Sequence, residues 1–199
     1  MSETDLFDIA IVGYGPTGAT LASLVAQQDL SVLVIEREKD IYDLPRAVHF
    51  DDETMRVFQA AGIAEDLVKY LHINPGMRFV DDQDNLLLDW PRDPDITSQG
   101  WNASYRVHQP DLEKLLRAYL DSCSNVRIVK HCELTTATEV EGHVLLDCKE
   151  RATGSLFEFK ARYAVGCDGA NSTLRKTIGG GTREIQRNII ARRVLDLPR

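Results

Sequence analysis

Residues 7–38 read FDIAIVGYGPTGATLASLVAQQDLSVLVIERE, and the fold turns on what their glycines do. Residues 8–12, DIAIV, are a continuous apolar run of strand length, which suits a parallel strand buried on both faces. Gly13, Gly15 and Gly18 follow in the pattern G-x-G-x-x-G, and a helix is expected from about Pro16 to Gln28. Its apolar residues Ala19, Leu21, Ala22, Leu24 and Val25 are expected to face the sheet. SVLVIE forms the next strand and ends on Glu36, 18 residues beyond Gly18. Strand, glycine turn, helix, strand and terminal acid together supply the context that a dinucleotide-binding βαβ unit requires.

In such a unit each residue has a separate task. Gly13 permits the tight turn, Gly15 lets the backbone approach a pyrophosphate, and Gly18 allows close packing of helix on strand. Glu36 can accept hydrogen bonds from ribose hydroxyls, and Pro16, Thr17 and Arg37 complete the expected cofactor-binding set at this end. A structural turn that holds no phosphate is the competing reading. NAD and FAD share the fingerprint, so the choice between them needs other residues.

Composition narrows the class. The 199 residues are 43% hydrophobic and 27% charged, as in an ordinary globular protein. A net charge of −8 argues against a nucleic-acid or anionic-membrane binder, because phosphate backbones are held by clustered Lys and Arg. A nucleotide cofactor stays open, since backbone N–H groups hold its phosphates. Cys123, Cys132, Cys148 and Cys167 contain no C-x-x-C pair, and His49, His72, His108, His131 and His143 are scattered. Reduced structural thiols and no metal site are expected. With no apolar run of membrane-spanning length and no basic leader in MSETDLFD, the expected location is the cytoplasm.

Beyond residue 38, REKDIYDLPRAVHF reads as loop, and DDETMRVFQAAGIAEDLVKY as a helix that ends near Gly62 before a second short one. GMRFVDDQDNLLLDWP reads as two strands joined by a polar turn at residues 82–85, and QPDLEKLLRAYLDSC as a helix with Leu112, Leu115, Leu116, Tyr119 and Leu120 on one face. Residues 126–166 alternate as a β-meander with turns at Glu141-Gly142 and Thr153-Gly154. Trp90 and Trp101 flank a Pro- and Asp-rich loop, where they either border a substrate cavity or anchor ordinary packing. A helix from Arg183 to Arg193 closes the reading.

Two stretches decide the cofactor. PRAVHFDDETMRVFQAAGI and YAVGCDGANSTLRKTIG, in that order, resemble the FAD-dependent aromatic hydroxylases of the para-hydroxybenzoate hydroxylase type, with 3-(3-hydroxyphenyl)propionate and phenol hydroxylases as the nearest branch. The resemblance covers roughly residues 7–178. It implies an α/β fold: a Rossmann-like FAD-binding domain over residues 1–178, with a parallel sheet, a β-meander crossover and part of a second, substrate-side sheet near 73–105. It also implies that Asp168 and Gly169 lie where the chain passes the flavin, supported by Ser172 and Arg175, that Arg46 lies near the flavin and its pyrophosphate, and that Gln109 touches the cofactor. On the residues alone, Asp168 can equally be an Asx turn capping the following helix, and Arg46 a solvated loop charge.

The implied activity is FAD-dependent monooxygenation of a phenolic ring, with NADH or NADPH as reductant, O₂ as co-substrate, and no nucleic-acid or membrane partner. No general base is assigned. The family's later Gly-Asp-Ala-Ala-His segment is absent from this sequence, and residues 179–199 depart from the family pattern. The expectation is therefore a truncated, N-terminal portion with an atypical tail, whose open sheet edge invites a homo-oligomer or a companion chain. A noncatalytic FAD-binding module and another FAD- or NAD(P)-dependent oxidoreductase are the alternatives, and the missing C-x-x-C weighs against a thioredoxin-reductase-like enzyme.

Overall fold

In the computed structural model, which describes residues 6–44 and 46–177, the first apolar run becomes β1 (Leu6–Val12). The glycine turn leads into α1 (Pro16–Ala26), and then come β2 (Val32–Ile35), β3 (His49–Asp51), α2 (Asp52–Ala60) and α3 (Ala64–Leu67). Four short strands follow: β4 (His72–Ile73), β5 (Gly76–Val80), β6 (Leu86–Pro91) and β7 (Ser104–Arg106). α4 (Gln109–Asp121), β8 (Val126–Val129), β9 (Cys132–Val140), β10 (His143–Glu150), β11 (Leu156–Gly166) and α5 (Thr173–Thr177) complete the described chain. The expected helix at 183–193 and the tail at 179–199 lie outside the described residues.

These elements sort into two compact units. The first, residues 6–14, 30–39 and 127–177, carries the six-stranded sheet β8-β2-β1-β11-β10-β9. β1 pairs in parallel with β2 on one side and with β11 on the other. Every residue of β2 is buried, as expected of a parallel strand covered on both faces, whereas β9 and β10 alternate buried and exposed positions. β11 changes role along its length. Residues 156–161 pair antiparallel with β10, residues 160–166 pair parallel with β1, and Lys160 and Ala161 take partners on both sides. Phe7, Leu33, Ile35, Leu134, Leu146, Phe159 and Leu174 form the core of this unit.

The second unit, residues 15–29 and 40–126, contains α1 to α4 and two small sheets. Its helices bury Met55, Phe58, Leu67, Leu112, Leu116 and Leu120. α1 packs on α4, and its buried stripe is Gly18, Ala19, Ala22, Ser23 and Ala26. The expected facing residues Leu21, Leu24 and Val25 are only half-buried, because small residues at one-turn spacing let the helix pack closely and put the bulky ones to its sides. β3 also falls inside the stretch expected to be loop: Phe50 packs edge-on against Phe58 with ring centroids 5.2 Å apart, and that contact makes a strand of HFD. In the β5–β6 pair every residue of β6 is exposed, including Leu87 at 68%.

Asp51 links β3 to α2, its Oδ1 accepting from the Thr54 N–H at 2.9 Å as an N-cap. Asp51→Ala should therefore cost about 1 kcal/mol. Hydrogen bonds from Thr54 hold the Asp51 carboxyl below its ordinary range. The stabilisation is then complete above ~pH 4 and disappears as pH falls through the folded-state pKa. Urea midpoints of parent and variant should differ at neutral pH and converge on acidification; a gap that persists in acid refutes the cap.

Candidate cofactor site

In the first unit, the residues expected at the cofactor lie at the end of β1, the end of β2 and on the chain leaving β11. Gly13 has φ +105°, and a Cβ built there lies 2.4 Å from the Cys167 carbonyl oxygen. Only glycine fits. The Gly13 N–H donates to the Ile35 carbonyl at 2.8 Å, and the Cys167 N–H to the Val12 carbonyl at 2.7 Å, so the turn is sewn to both neighbouring strands.

Glu36 is held from four directions. Its main chain donates to the Val129 carbonyl and accepts from the Cys132 N–H, both at 2.9 Å. Its Oε2 accepts from the Tyr14 N–H at 2.6 Å and its Oε1 from the Glu38 N–H at 2.8 Å. Each carboxylate oxygen keeps a further lone pair for a hydroxyl donor. Arg37 is exposed and pairs with Glu38.

After β11, Asp168 takes the capping role that the sequence left open. Its Oδ2 caps α5, accepting from the N–H groups of Thr173 at 2.6 Å and Leu174 at 3.3 Å. Its Oδ1 is buried and has no hydrogen-bond partner among the described residues. Gly169 follows with φ +80°. Ser172 and Arg175 act locally: the Ser172 Oγ accepts from the Arg175 N–H at 3.0 Å, and the Arg175 guanidinium donates to the Ala170 carbonyl. Burial and the nearby Asp168 push the Cys167 thiol up to about 11, so it stays protonated at neutral pH.

In the second unit, expected residues lie at the start of α1. Gly15 is the N-cap, no side chain caps the helix, Pro16 follows at its first turn, and no acid sits there. The first N–H groups of a helix have no partner within it and carry its positive end. A Cβ on Gly15 meets nothing within 4 Å, Thr17 is exposed and Gly18 is buried. In the same unit Gln109 is 7% exposed, and its Oε1 accepts from the N–H groups of Arg46 and Ala47, both at 2.8 Å. The Arg46 side chain is exposed and lies over the Tyr42 ring, 4.6 Å from its centroid. Trp101 donates its indole N–H to Gln59 at 2.9 Å, and Trp90 is covered by Arg92.

Sequence reasoning named Glu36 but missed its hold on the Tyr14 N–H, a contact between strand ends that no spacing announces. It missed Glu113 altogether, 4% exposed beside Gln109; its signal was the i, i+4 spacing of Gln109, Glu113 and Arg117.

A family model described as an FAD binding domain matches residues 7–197. The chain belongs to this FAD-binding family. A probable NADH-specific resorcinol 4-hydroxylase from Rhodococcus jostii (strain RHA1) is 40% identical over 173 residues, which are 87% of this chain and 32% of the relative. A 3-(3-hydroxy-phenyl)propionate/3-hydroxycinnamic acid hydroxylase from Mycolicibacterium gilvum (strain PYR-GCK) is 32% identical over 90% of this chain and 30% of its own length. The chain thus spans about a third of the length of the curated relatives it matches. Among solved structures, a p-nitrophenol 4-monooxygenase from Pseudomonas putida DLL-E4 superposes with a TM-score of 0.77 at 21% identity, covering 87% of this chain and 44% of that one. A flavin-dependent monooxygenase in complex with FAD and substrate gives 0.78 at 21% identity, covering 89% and 33%. These two show the fold.

The residues of each unit fit FAD. In the first, a carboxylate with spare acceptor capacity and a buried Asp168 oxygen with no partner among the described residues, and in the second, an uncapped helix start behind Gly15, are kinds of group that a dinucleotide engages. The two glycines should separate on substitution. Gly13→Ala should lower unfolding free energy by more than ~2 kcal/mol, since φ and the Cys167 carbonyl both oppose a side chain. Gly15→Ala, at φ −75° and in open space, should cost less than about 1 kcal/mol. Equal losses in denaturant titration contradict this division.

Proposed function

We propose that this chain is the FAD-holding portion of a flavin-dependent monooxygenase that hydroxylates a phenolic ring, using NAD(P)H and O₂. The observation that carries the FAD assignment is the complete fingerprint, with Glu36 fixed at the end of β2 and nothing over Gly15. When bound, FAD supplies the redox chemistry, and the protein supplies binding, orientation and exclusion of water. In this reading the N–H groups at the start of α1, with Gly13, Gly15, Pro16, Thr17 and Gly18, receive the pyrophosphate, and Glu36 the adenosine ribose, flanked by Arg37. Gln109 holds the Arg46 loop to the cofactor, and Asp168 and Gly169 meet it beyond β11.

The hydroxylation itself rests on the relatives. Both are named as hydroxylases of phenolic compounds, and the one at 40% identity is named as NADH-specific, which favours NADH and a small phenolic substrate here. The exposed apolar β5–β6 pair suits the beginning of a substrate-side sheet, within an FAD-binding domain that runs to about residue 178. A reductant drawn from the NAD(P)H pool, with all four cysteines free, accords with a cytoplasmic protein.

Purified chain mixed with FAD and passed through gel filtration should keep the flavin absorption bands. Gly15→Val should elute colourless, because its side chain occupies the pyrophosphate path; unchanged FAD uptake by that variant overturns the glycine-turn assignment. Glu36→Ala should weaken FAD by about 1–3 kcal/mol in a calorimetric titration, through lost ribose hydrogen bonds and a loosened Tyr14 N–H. NADH-dependent oxygen uptake with resorcinol or a hydroxyphenyl acid then tests the enzyme reading. Flavin retained without any such uptake favours a binding module with no catalysis of its own.

A further inference from the structure

Three side chains at one-turn spacing on α4 form a continuous hydrogen-bonded row that ends on the 46–47 loop. Arg117 Nη2 lies 3.4 Å from Glu113 Oε2, and Gln109 Nε2 donates to Glu113 Oε1 at 2.8 Å. Gln109 Oε1 accepts from the N–H groups of Arg46 and Ala47. All three side chains are largely removed from solvent: Glu113 is 4% exposed, Gln109 7%, and the Arg117 side chain 11%.

The polarity of this row is forced from both ends. Main-chain N–H groups only donate, so Gln109 must turn its oxygen to the loop, and its NH₂ then faces back along α4. That NH₂ needs an acceptor. At the far end a guanidinium also only donates, and a group that accepts on both sides is a carboxylate. Reversing the Gln109 amide sets donor against donor at two main-chain N–H groups and leaves its oxygen facing the Glu113 carboxylate, a costly arrangement for a buried side chain.

We propose that Glu113 is a positioning residue for the cofactor: by fixing which way the Gln109 amide points, it holds the backbone at Arg46 and Ala47 in the shape that meets FAD. This rests on the FAD reading above. Glu113 touches the loop only through Gln109, so it acts by orientation.

Glu113→Gln preserves volume and removes one acceptor. The charged Arg117 retains the remaining oxygen, and the new amide nitrogen faces Gln109 Nε2. Gln109 then flips or loses the bond, and the clamp on the loop loosens. The double exchange Q109E/E113Q restores the polarity and keeps one buried negative charge. In it the new carboxylate accepts from the loop on one oxygen and from the new amide at position 113 on the other, while that amide's own oxygen serves Arg117.

The test is backbone amide exchange at residues 46 and 47 without FAD, alongside FAD affinity by flavin fluorescence, in parent, E113Q and Q109E/E113Q. E113Q should speed exchange at those two amides selectively and weaken FAD roughly tenfold, and the double variant should return affinity to within about threefold of the parent. Where E113Q does not fold, recovery of a folded, FAD-binding chain in the double variant supports the proposal in the same way. Unchanged exchange at Arg46 and Ala47 overturns it, and so does a double variant no better than E113Q, which marks a general structural role. A parent chain that takes up no FAD overturns the cofactor reading, and the exchange arm then decides the clamp by itself.

Discussion

The first unit depends on a missing side chain. β11 leaves the sheet with the Cys167 carbonyl where a Cβ of residue 13 would stand, and the Cys167 N–H closes a 2.7 Å bond to Val12. Any other residue at position 13 forces β1 and the end of β11 apart, against six residue pairs of parallel register along a strand that buries Phe7, Ile11 and Val12. The turn is thus as much a packing device as a phosphate device. A turn held by its own packing and hydrogen bonds has less ordering cost to meet on binding.

β11 carries that constraint onward. Its first half closes the meander and its second half becomes a parallel neighbour of β1, so one strand ties the antiparallel and parallel parts of the sheet together. Where it ends, Asp168 divides its carboxylate. One oxygen stops the chain by capping α5, and the other is buried with no hydrogen-bond partner among the described residues. A capping role alone accounts for the first oxygen. The second is a cost that a folded chain tolerates where a bound group relieves it.

The larger sheet was legible because parallel strands advertise themselves as apolar runs, and the meander because its turns contain Gly142 and Gly154, both with positive φ. The glycine turn and Glu36 were legible for the same reason, as a pattern with a mechanism. The buried face of α1 was legible only in part. Of the residues that hydrophobicity pointed to, Ala19 and Ala22 are buried and Leu21, Leu24 and Val25 are half-buried, whereas close approach of a helix adds Gly18, Ser23 and Ala26, whose size matters more than their apolarity. β3 was hidden because its strand character comes from Phe50 meeting Phe58 and Tyr105, residues that are neighbours only in the fold. Glu113 stayed hidden because a charged residue inside an amphipathic helix reads as solvent-facing until a partner four residues away is seen beneath it.

A chain of net charge −8 that binds a dianionic pyrophosphate faces an electrostatic problem, and the placement of its acids answers it. α1 carries no acidic residue in its first turn, so the positive end of the helix is undiluted. The acids proposed to meet the cofactor are engaged with main-chain donors: Glu36 by Tyr14 and Glu38, Asp168 by Thr173 and Leu174. Each of these bonds offsets part of a negative charge with N–H dipoles and aims the remaining acceptor capacity at hydroxyl donors. Glu113, the acid beneath Gln109, has Arg117 beside it, so its charge is balanced within α4 itself. Negative charge is retained here where it orients a donor, and it is absent from the first turn of α1, where the proposed reading puts the pyrophosphate.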